Sequence, residues 1–240
     1  MAHYLYVTMR VKLFADGADK AAMLRLYDNP AIKGFTTNPT LMRKAGITDY
    51  TAFARDIVAA IPDRPISLEV FADDFAEMER QARLIAAWGR NVYVKIPVTN
   101  TQGDFAGDLI RKLTAEGIQL NVTALLTLSQ VEQVVDALEG GAPSYISVFA
   151  GRIADTGRDP IPVMQAALEA MAPHPQMELI WASPRELLNV IQASDIGCHI
   201  ITATPDILAK LSLLGKDLAD YSLDTVKMFR TDAVASGFTL

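Results

Sequence analysis

The chain alternates short apolar runs with longer stretches in which apolar residues recur at helical spacing. The short runs are rich in β-branched residues and end in polar ones, which is typical of buried strands. The stretches between them, such as 73–88, 104–116 and 128–138, are amphipathic, and several end near glycine. The pattern therefore predicts a repeated strand–helix order. Eight strand-like runs are found, at 12–16, 34–38, 66–70, 92–97, 118–123, 145–150, 177–183 and 198–202.

Eight strand–helix units in 240 residues, with no Gly/Ser-rich linker, favour a closed parallel barrel over an open doubly wound sheet. A chain of this length with 50% hydrophobic residues can bury one large core. No Gly-x-Gly-x-x-Gly follows the first strand, which weakens the dinucleotide-binding alternative. We predict an α/β fold, a (β/α)8 TIM barrel of class I aldolase type, as a single domain over residues 1–240.

Both ends of the chain carry segments beyond the eight units. Residues 1–10 lack the pattern of a secretory signal and are expected to be an N-terminal arm, unless Met9 is the start. Residues 221–240 are expected to form a C-terminal helix and tail. Ser222 could cap this helix, and Leu223, Val226 and Phe229 are spaced to bury one face against the barrel or a neighbouring subunit.

Charge and cysteine content exclude several classes of function. A net charge of -6 argues against a nucleic-acid partner, although a local basic pocket for a small phosphate is compatible with it. The single Cys198 excludes an intrachain disulfide, and no Cys or His spacing of a zinc site is present. No apolar run approaches the ~20 residues of a membrane-spanning helix. We expect a cytoplasmic protein with no membrane partner and no metal.

Polar side chains are expected to converge inside the barrel. Side chains alternate across a strand, so the residues between the apolar, helix-facing positions must face the barrel axis. This rule turns Lys95 inward in Val-Tyr-Val-Lys-Ile-Pro and Glu69 inward in Ile-Ser-Leu-Glu-Val. All the axis-facing polar residues lie toward strand C-terminal ends, where barrels of this type hold their active sites. The same count adds Asp16, Asn38, Asn121, Thr123, Ser147, Phe149 and Ser183.

Lys95 is the one lysine set within an otherwise apolar strand. Burial disfavours an ammonium ion and so promotes the neutral, nucleophilic amine that forms a Schiff base. Asp16 and Glu69 would instead favour the charged lysine. A purely structural ion pair with one carboxylate is the alternative, but the convergence of polar residues at the same end favours a catalytic lysine.

The other candidates also have simpler interpretations. Asp16 could cap the following helix, and Thr36 to Pro39 could be a strand-ending turn. Arg152 and Arg185 could be solvated surface residues. However, they follow the sixth and seventh strands together with Ser183, where barrels often bind phosphate, and a forked Arg pair suits a phosphate dianion.

Six motifs occur in order at the strand ends and together resemble the transaldolase family, specifically its small single-barrel branch, which also contains fructose 6-phosphate aldolases. The resemblance runs from Leu13 to about Leu211. The motifs are Leu-Phe-Ala-Asp ending at Asp16, Thr-Thr-Asn-Pro-Thr from Thr36, Val-Lys-Ile-Pro around Lys95, Asn-Val-Thr from Asn121, Ile-Ser-Val-Phe-Ala-Gly-Arg ending at Arg152, and Ala-Ser-Pro-Arg ending at Arg185.

The resemblance implies a role for each matching residue. Lys95 would be the Schiff-base lysine, and Asp16 the acid/base that handles the proton of the substrate's C4 hydroxyl. Glu69 and Thr123 would hold a catalytic water. Because the protonated imine is the electron sink, no cofactor is implied. The remaining residues would bind sugar phosphate: Asn38, Asn121 and Ser147 the dihydroxyacetone unit, and Arg152, Ser183 and Arg185 the terminal phosphate.

Phe149 and Glu69 bear on the reaction type. Aldolase members of the family typically have tyrosine in place of Phe149 and lack the carboxylate at Glu69. The resemblance therefore implies a transaldolase, which moves dihydroxyacetone from fructose 6-phosphate or sedoheptulose 7-phosphate to an aldose phosphate. The alternatives are aldolase-type cleavage of fructose 6-phosphate and a non-catalytic barrel that binds sugar phosphates.

Three residues depart from the pattern of the family. Pro184 and Glu186 flank Arg185 where larger transaldolases usually have Phe and Asn, and Gly17 replaces the common Thr after Asp16. An acidic Glu186 beside the proposed phosphate site bears on which substrate tail is preferred. The resemblance also implies a homo-oligomer, without a subunit number.

Overall fold

The computed structural model describes residues 9–239, so most of the expected N-terminal arm lies outside the described residues. Eight parallel strands close into a barrel in chain order, and the last strand pairs with the first. This confirms the predicted (β/α)8 fold. The strands are β1 (Lys12–Asp16), β2 (Ile32–Thr36), β3 (Ile66–Glu69), β4 (Val92–Pro97), β5 (Leu120–Leu125), β6 (Ser144–Val148), β7 (Met177–Trp181) and β8 (Ile200–Ala203).

Helices follow every strand and form the outer layer. Two helices follow each of β2, β6 and β8, and a short 3-10 turn at Lys210–Leu213 lies between the two that follow β8. No helix within residues 9–239 is long and apolar enough to span a membrane. The helices are α1 (Lys20–Tyr27), α2 (Pro39–Lys44), α3 (Tyr50–Ala60), α4 (Phe75–Ala86), α5 (Gly107–Ala115), α6 (Leu128–Leu138), α7 (Ala150–Asp155), α8 (Ile161–Met171), α9 (Leu188–Asp195), α10 (Pro205–Ala209) and α11 (Leu218–Ser236).

Strands β5 and β8 begin two residues later than predicted, because the first residues of their apolar runs belong to the ends of the preceding helices. After α5, Gly117 has a φ of 84° and the N–H of Ile118 donates to the carbonyl of Leu113 at 3.1 Å. After α9, the N–H of Cys198 donates to the carbonyl of Ala193 at 2.9 Å. Both are Schellman closures, in which an apolar residue beyond the glycine packs back on the helix. The first residues of the runs at 118 and 198 thus belong to helix ends and not to strands.

The barrel has separate outer and inner apolar cores. The outer core fills the space between strands and helices. In the inner core, Tyr93 stacks on Tyr145 with ring centroids 4.0 Å apart, and Phe14 meets Tyr145 edge-on at 5.8 Å. Tyr93 and Tyr145 lie two residues before Lys95 and Ser147 on the same strands, so they form an aromatic floor beneath them. The inner cluster consists of Phe14, Tyr145, Ile180, Ala182 and Ile200, with Tyr93 and Phe149 packed against it.

The C-terminal helix α11 begins earlier than predicted. Its cap is Asp217, whose side chain accepts hydrogen bonds from the N–H groups of Ala219 and Asp220, and not Ser222, which lies more than a turn inside the helix. Asp217 has the extended backbone of an N-cap. The three residues expected to bury one face are more than half exposed on this chain, so the expected packing on the barrel is wrong and a neighbouring subunit stays the prediction. These residues are Leu223, Val226 and Phe229.

Gly34 makes room for the inner core. A Cβ atom built on Gly34 would lie 2.5 Å from the Phe14 ring. We predict that Gly34→Ala destabilises the protein by about 1–3 kcal/mol, because a crowded core must shift to admit a methyl group. Urea unfolding measures the change. Gly17→Ala, where a Cβ meets nothing within 4 Å, is the matched control.

Phe14→Leu provides the second arm of this test. If the ring causes the crowding, Gly34→Ala should lower the free energy of unfolding less in the Phe14→Leu background than in the wild type. Equal costs in the two backgrounds would assign the loss to backbone effects at Gly34 and contradict the steric explanation.

Candidate active site

All eleven predicted site residues line one cavity of about 590 Å³ at the C-terminal ends of the strands. They come from seven strand ends and from the loops and helix that directly follow them, so barrel closure brings distant parts of the chain together. Side-chain alternation predicts the convergence of most of them, and the position after the sixth and seventh strands predicts that of Arg152 and Arg185; their individual roles stay predictions. The residues are Asp16, Asn38, Glu69, Lys95, Asn121, Thr123, Ser147, Phe149, Arg152, Ser183 and Arg185.

Lys95 lies buried in this cavity, with 6% of its surface exposed. Its Nζ atom is 3.0 Å from Glu69 Oε2 and donates to the Thr37 carbonyl oxygen at 3.0 Å. Lys95 and Glu69 occupy paired positions of β4 and β3, so the register of the two strands itself makes the ion pair. The pair that was considered as an alternative is therefore present. It places a proton acceptor within hydrogen-bond distance of the amine.

Asp16 is held by side chains of the neighbouring strands. Its Oδ1 atom accepts a hydrogen bond from Thr36 Oγ1 at 2.7 Å, and Thr36 Oγ1 is 2.6 Å from Thr202 Oγ1. Helix α1 is capped by Asp19, which accepts from the N–H of Ala22 at 2.7 Å. The alternative interpretation of Asp16 as a helix cap is therefore wrong, and its carboxylate is available to the cavity.

Burial raises the pKa of Asp16 above its usual value. Three neighbours modify this effect: Lys95 and the Thr36 hydrogen bond lower the pKa, and the negative charge of Glu69 raises it. The balance is a carboxyl group that holds a proton more readily than an exposed aspartic acid does. A raised pKa favours the acid role of such a group, and the ionised form can still act as a base.

Three buried side chains, from β3, β5 and β6, form a hydrogen-bonded row beside Lys95 on β4. Asn121 donates from Nδ2 to Ser67 Oγ at 2.9 Å and accepts from Ser147 Oγ at 2.7 Å. The two bonds fix the orientation of the Asn121 amide and leave one of its N–H groups for a ligand. Two residues further along β5, the buried hydroxyl of Thr123 has no hydrogen-bond partner among residues 9–239.

Asn38 has a structural task as well as a place in the cavity. Its Oδ1 atom caps α2 by accepting from the N–H of Leu41 at 2.9 Å, as expected for a strand-ending turn with Asn before Pro. The cap uses the side-chain oxygen, so Nδ2 is the atom that can donate to a ligand.

Ser183 reaches the cavity by a route that alternation does not explain. Ile180 and Ala182 belong to the inner cluster, so strict alternation would turn Ser183 outward. The backbone breaks the alternation at Ser183, which has a φ of 59°. Helix α7 also approaches closely, since a Cβ on Gly151 would lie 1.5 Å from the Ser183 carbonyl oxygen. Only glycine fits at position 151, and it brings the start of α7 against the end of β7.

The two arginines at the rim are not equivalent. Arg185 forms a two-point ion pair with Asp155, with Nε donating to Oδ1 at 3.0 Å. Arg152 lies over the Phe149 ring, 5.6 Å from its centroid. Within residues 9–239, Arg152 forms no ion pair with a carboxylate. The two arginines of the predicted phosphate site thus differ: within residues 9–239, Arg152 has no ion pair, and Arg185 shares its charge with Asp155.

Sequence reasoning missed several residues of the cavity. Thr36 was considered only as part of a turn, and Thr202 and Lys44 were not considered. A signal existed for the two threonines, since both occupy axis-facing positions on the strands that flank β1. Within residues 9–239, no group of three His, Cys, Asp or Glu side chains is placed to hold a metal ion.

The fold and the cavity define a (β/α)8 barrel of the aldolase type, with a buried lysine beside carboxylates at the strand C-terminal ends. The family model Transaldolase/Fructose-6-phosphate aldolase matches residues 13–239. The chain belongs to this family, as its motifs predicted.

Individual relatives agree with the family assignment. A Dehalococcoides mccartyi protein named "Probable transaldolase" is 34% identical over 202 residues, covering 84% of this chain and 90% of that protein. One of the same name from Streptococcus pyogenes serotype M5 is 36% identical over 203 residues, with the same shares covered. The solved structure of "QR15, an Aldolase" matches with a TM-score of 0.56 at 12% identity, over 88% of this chain and 100% of that chain. That last likeness concerns the fold alone.

The geometry predicts how Asp16 responds to loss of Lys95. The nearby positive charge stabilises the ionised carboxylate, so removing it in Lys95→Met should raise the pKa of Asp16 further. Carbon-13 NMR titration of the Asp16 carboxyl group measures the shift. Lys44→Met removes a different lysine of the same cavity and should have the smaller effect. An unchanged or lowered pKa in Lys95→Met would contradict the electrostatic coupling.

Proposed function

We propose that the protein is a transaldolase that transfers a dihydroxyacetone unit from a ketose phosphate to an aldose phosphate through a Schiff base on Lys95. The observation that carries the proposal is the burial of Lys95 with its Nζ atom 3.0 Å from Glu69, in the same cavity as Asp16. An amine nucleophile, a proton acceptor beside it and a second acid/base together meet the needs of carbonyl chemistry.

The first half of the reaction would form the imine. Glu69 takes a proton from the Lys95 ammonium ion, and the neutral amine adds to the ketone carbon of the donor sugar. The resulting carbinolamine loses its hydroxyl group as water after protonation, which a water between Glu69 and Thr123 can relay. The unpartnered Thr123 hydroxyl supports this role, because it has hydrogen-bonding capacity to offer.

The second half would break and remake a carbon–carbon bond. Asp16 takes the proton of the C4 hydroxyl, the C3–C4 bond breaks, and its electron pair flows into the protonated imine to give an enamine. The aldose leaves and an acceptor aldose enters. The enamine carbon then adds to the aldehyde carbon, Asp16 returns the proton to the new hydroxyl, and hydrolysis of the imine frees the product and Lys95.

Binding of the substrate would divide between the interior and the rim. The dihydroxyacetone hydroxyl groups would bond to Asn121, Ser147 and Asn38, two of which are already oriented by the bond from Ser147 to Asn121. The terminal phosphate would meet Arg152 with Ser183, and would share Arg185 with Asp155. We propose fructose 6-phosphate or sedoheptulose 7-phosphate as donor.

Borohydride trapping tests the central step. With fructose 6-phosphate present, reduction should fix an adduct that peptide mass mapping locates at Lys95. Lys95→Met should lose the adduct and at least about 10³-fold in kcat/KM, as expected when a nucleophile is removed. Lys33→Met, a lysine whose ammonium donates to the Pro30 carbonyl, is the matched control and should retain the adduct.

The outcomes separate the candidate functions. An adduct that persists in Lys95→Met would refute the assignment of the lysine, and no adduct with any ketose would favour a sugar-phosphate-binding barrel. Consumption of fructose 6-phosphate that runs equally fast without erythrose 4-phosphate would favour an aldolase.

Phe149 supports transfer over simple cleavage. An aldolase must protonate its enamine and release it, whereas the Phe149 ring packs against the inner cluster and under Arg152 and offers no hydroxyl to hold a proton-donating water. We predict that Phe149→Tyr raises the ratio of aldolase to transferase rate by about tenfold, the effect of one well-placed hydrogen bond. Phe149→Leu is the control without a hydroxyl. An equal ratio in the three proteins would contradict this use of Phe149.

A further inference from the structure

Two threonine hydroxyls extend from the Asp16 carboxylate along the inner face of the barrel wall. Thr36 on β2 and Thr202 on β8 flank β1, and both side chains are buried. Thr36 Oγ1 lies 2.7 Å from Asp16 Oδ1 and 2.6 Å from Thr202 Oγ1. Both distances are those of good O–H···O hydrogen bonds. Asp16, Thr36 and Thr202 thus form one continuous chain of hydrogen bonds.

The direction of these hydrogen bonds depends on whether the Asp16 carboxyl group is protonated. A hydroxyl group has one proton to donate and can accept at the same time. When Asp16 is ionised, Thr36 donates to it, so Thr202 must donate to Thr36. When Asp16 carries a proton on Oδ1, Asp16 donates to Thr36 and Thr36 donates to Thr202. Rotation of two hydroxyls therefore keeps the pair of bonds in both states, with no heavy atom moved.

A single threonine could not do this equally well. Buried in this wall, Thr36 would leave a proton without an acceptor whenever Asp16 became the donor, and an unmet buried polar group costs free energy. Thr202 provides that acceptor. Thr202 also lines the cavity, so its own remaining hydrogen bond can be made to solvent or substrate.

We propose that Thr36 and Thr202 are positioning residues that form a two-hydroxyl relay, which holds Asp16 in one orientation in both its acid and its base role. The relay deepens the proposed function and rests on it for the catalytic meaning of Asp16. The relay transfers no net proton. The direction of its two hydrogen bonds reverses when Asp16 gains or loses a proton, so the side chains need little rearrangement between the step in which Asp16 acts as a base and the step in which it acts as an acid.

Other charged groups face Asp16 and must be held constant in any test. Lys95 and Glu69 act on it from β4 and β3. Lys44 from α2, Asp19 before α1 and Asp206 in α10 line the side pocket that also contains Asp16. The threonine substitutions leave all five charges in place, so a changed titration of Asp16 would report on the hydroxyls.

Thr36→Val and Thr202→Val replace each hydroxyl by a methyl group of similar size. Loss of the donor to the carboxylate in Thr36→Val should move the acidic limb of the kcat/KM profile to higher pH, by about 1 unit. Loss of the acceptor for Thr36 in Thr202→Val should disfavour protonated Asp16 and move the limb to lower pH, by about 0.3 unit. Thr114→Val removes another buried threonine hydroxyl, remote in α5 and without a partner among residues 9–239, and should leave the limb in place.

Serine variants separate the hydroxyl from the packing. Thr36→Ser and Thr202→Ser retain the relay and should titrate like the wild type. If the serine variants shift as far as the valine variants, packing sets the titration and the relay is wrong. If Thr36→Val shifts the limb and Thr202→Val does not, Thr36 acts alone and the relay is equally refuted.

Carbon-13 titration of the Asp16 carboxyl group gives the same shifts without any turnover. It distinguishes failure of the relay from failure of the proposed function. A wild type that forms no Lys95 adduct would overturn the function while the NMR shifts still decide the relay. A normal adduct with NMR shifts no larger than those of Thr114→Val would overturn the relay alone.

Discussion

The buried ion pair between Lys95 and Glu69 is the interaction on which the site depends. Removing an ammonium ion from water costs several kcal/mol, and only a partner at close range with further hydrogen bonds offsets this. Both conditions follow from the closed barrel. The register of β3 and β4 places Glu69 opposite Lys95, and the residue that follows β2 provides the second partner of the amine, the Thr37 carbonyl, at 3.0 Å. Closure of the sheet thus stabilises a charged lysine where an apolar strand alone would not.

The apolar core and the polar site share the same strands. Inward positions near the strand starts carry the stacked Tyr93 and Tyr145, and the next inward positions carry Lys95 and Ser147. A packed floor keeps these side chains in fixed rotamers, and it fits only because Gly34 yields space to Phe14. The rim of the cavity also requires a glycine, because only a residue without a side chain at position 151 leaves space for the Ser183 carbonyl. The glycines at 34 and 151 are therefore part of how the site is positioned.

The strands and the central residues of the site could be predicted because they depend on local periodicity. Alternation alone turned Lys95 and Glu69 inward. It failed at Ser183, where the left-handed backbone ends the strand pattern. Periodicity placed Thr36 and Thr202 on axis-facing positions but could not show that they meet, because they are 166 positions apart in the sequence. The contact of Arg185 with Asp155, 30 positions away, left no signal in the periodicity. A single threonine in a strand and a surface aspartate are both common in sequences, so these contacts become visible only once the barrel is closed.

The distribution of charge explains how an acidic protein can present a site for anions. The chain carries a net charge of -6, yet two carboxylates and four cationic side chains line the cavity, the cations being Lys44, Lys95, Arg152 and Arg185. A cavity with this excess concentrates anionic ligands against the field of the outer surface. Asp155 does not line the cavity but neutralises part of the charge of Arg185 from behind, while holding its guanidinium in place. Among residues 9–239, Arg152 and Lys44 are the cations of the cavity that form no ion pair, and an anionic tail that reaches Arg185 must compete with a carboxylate already bound there.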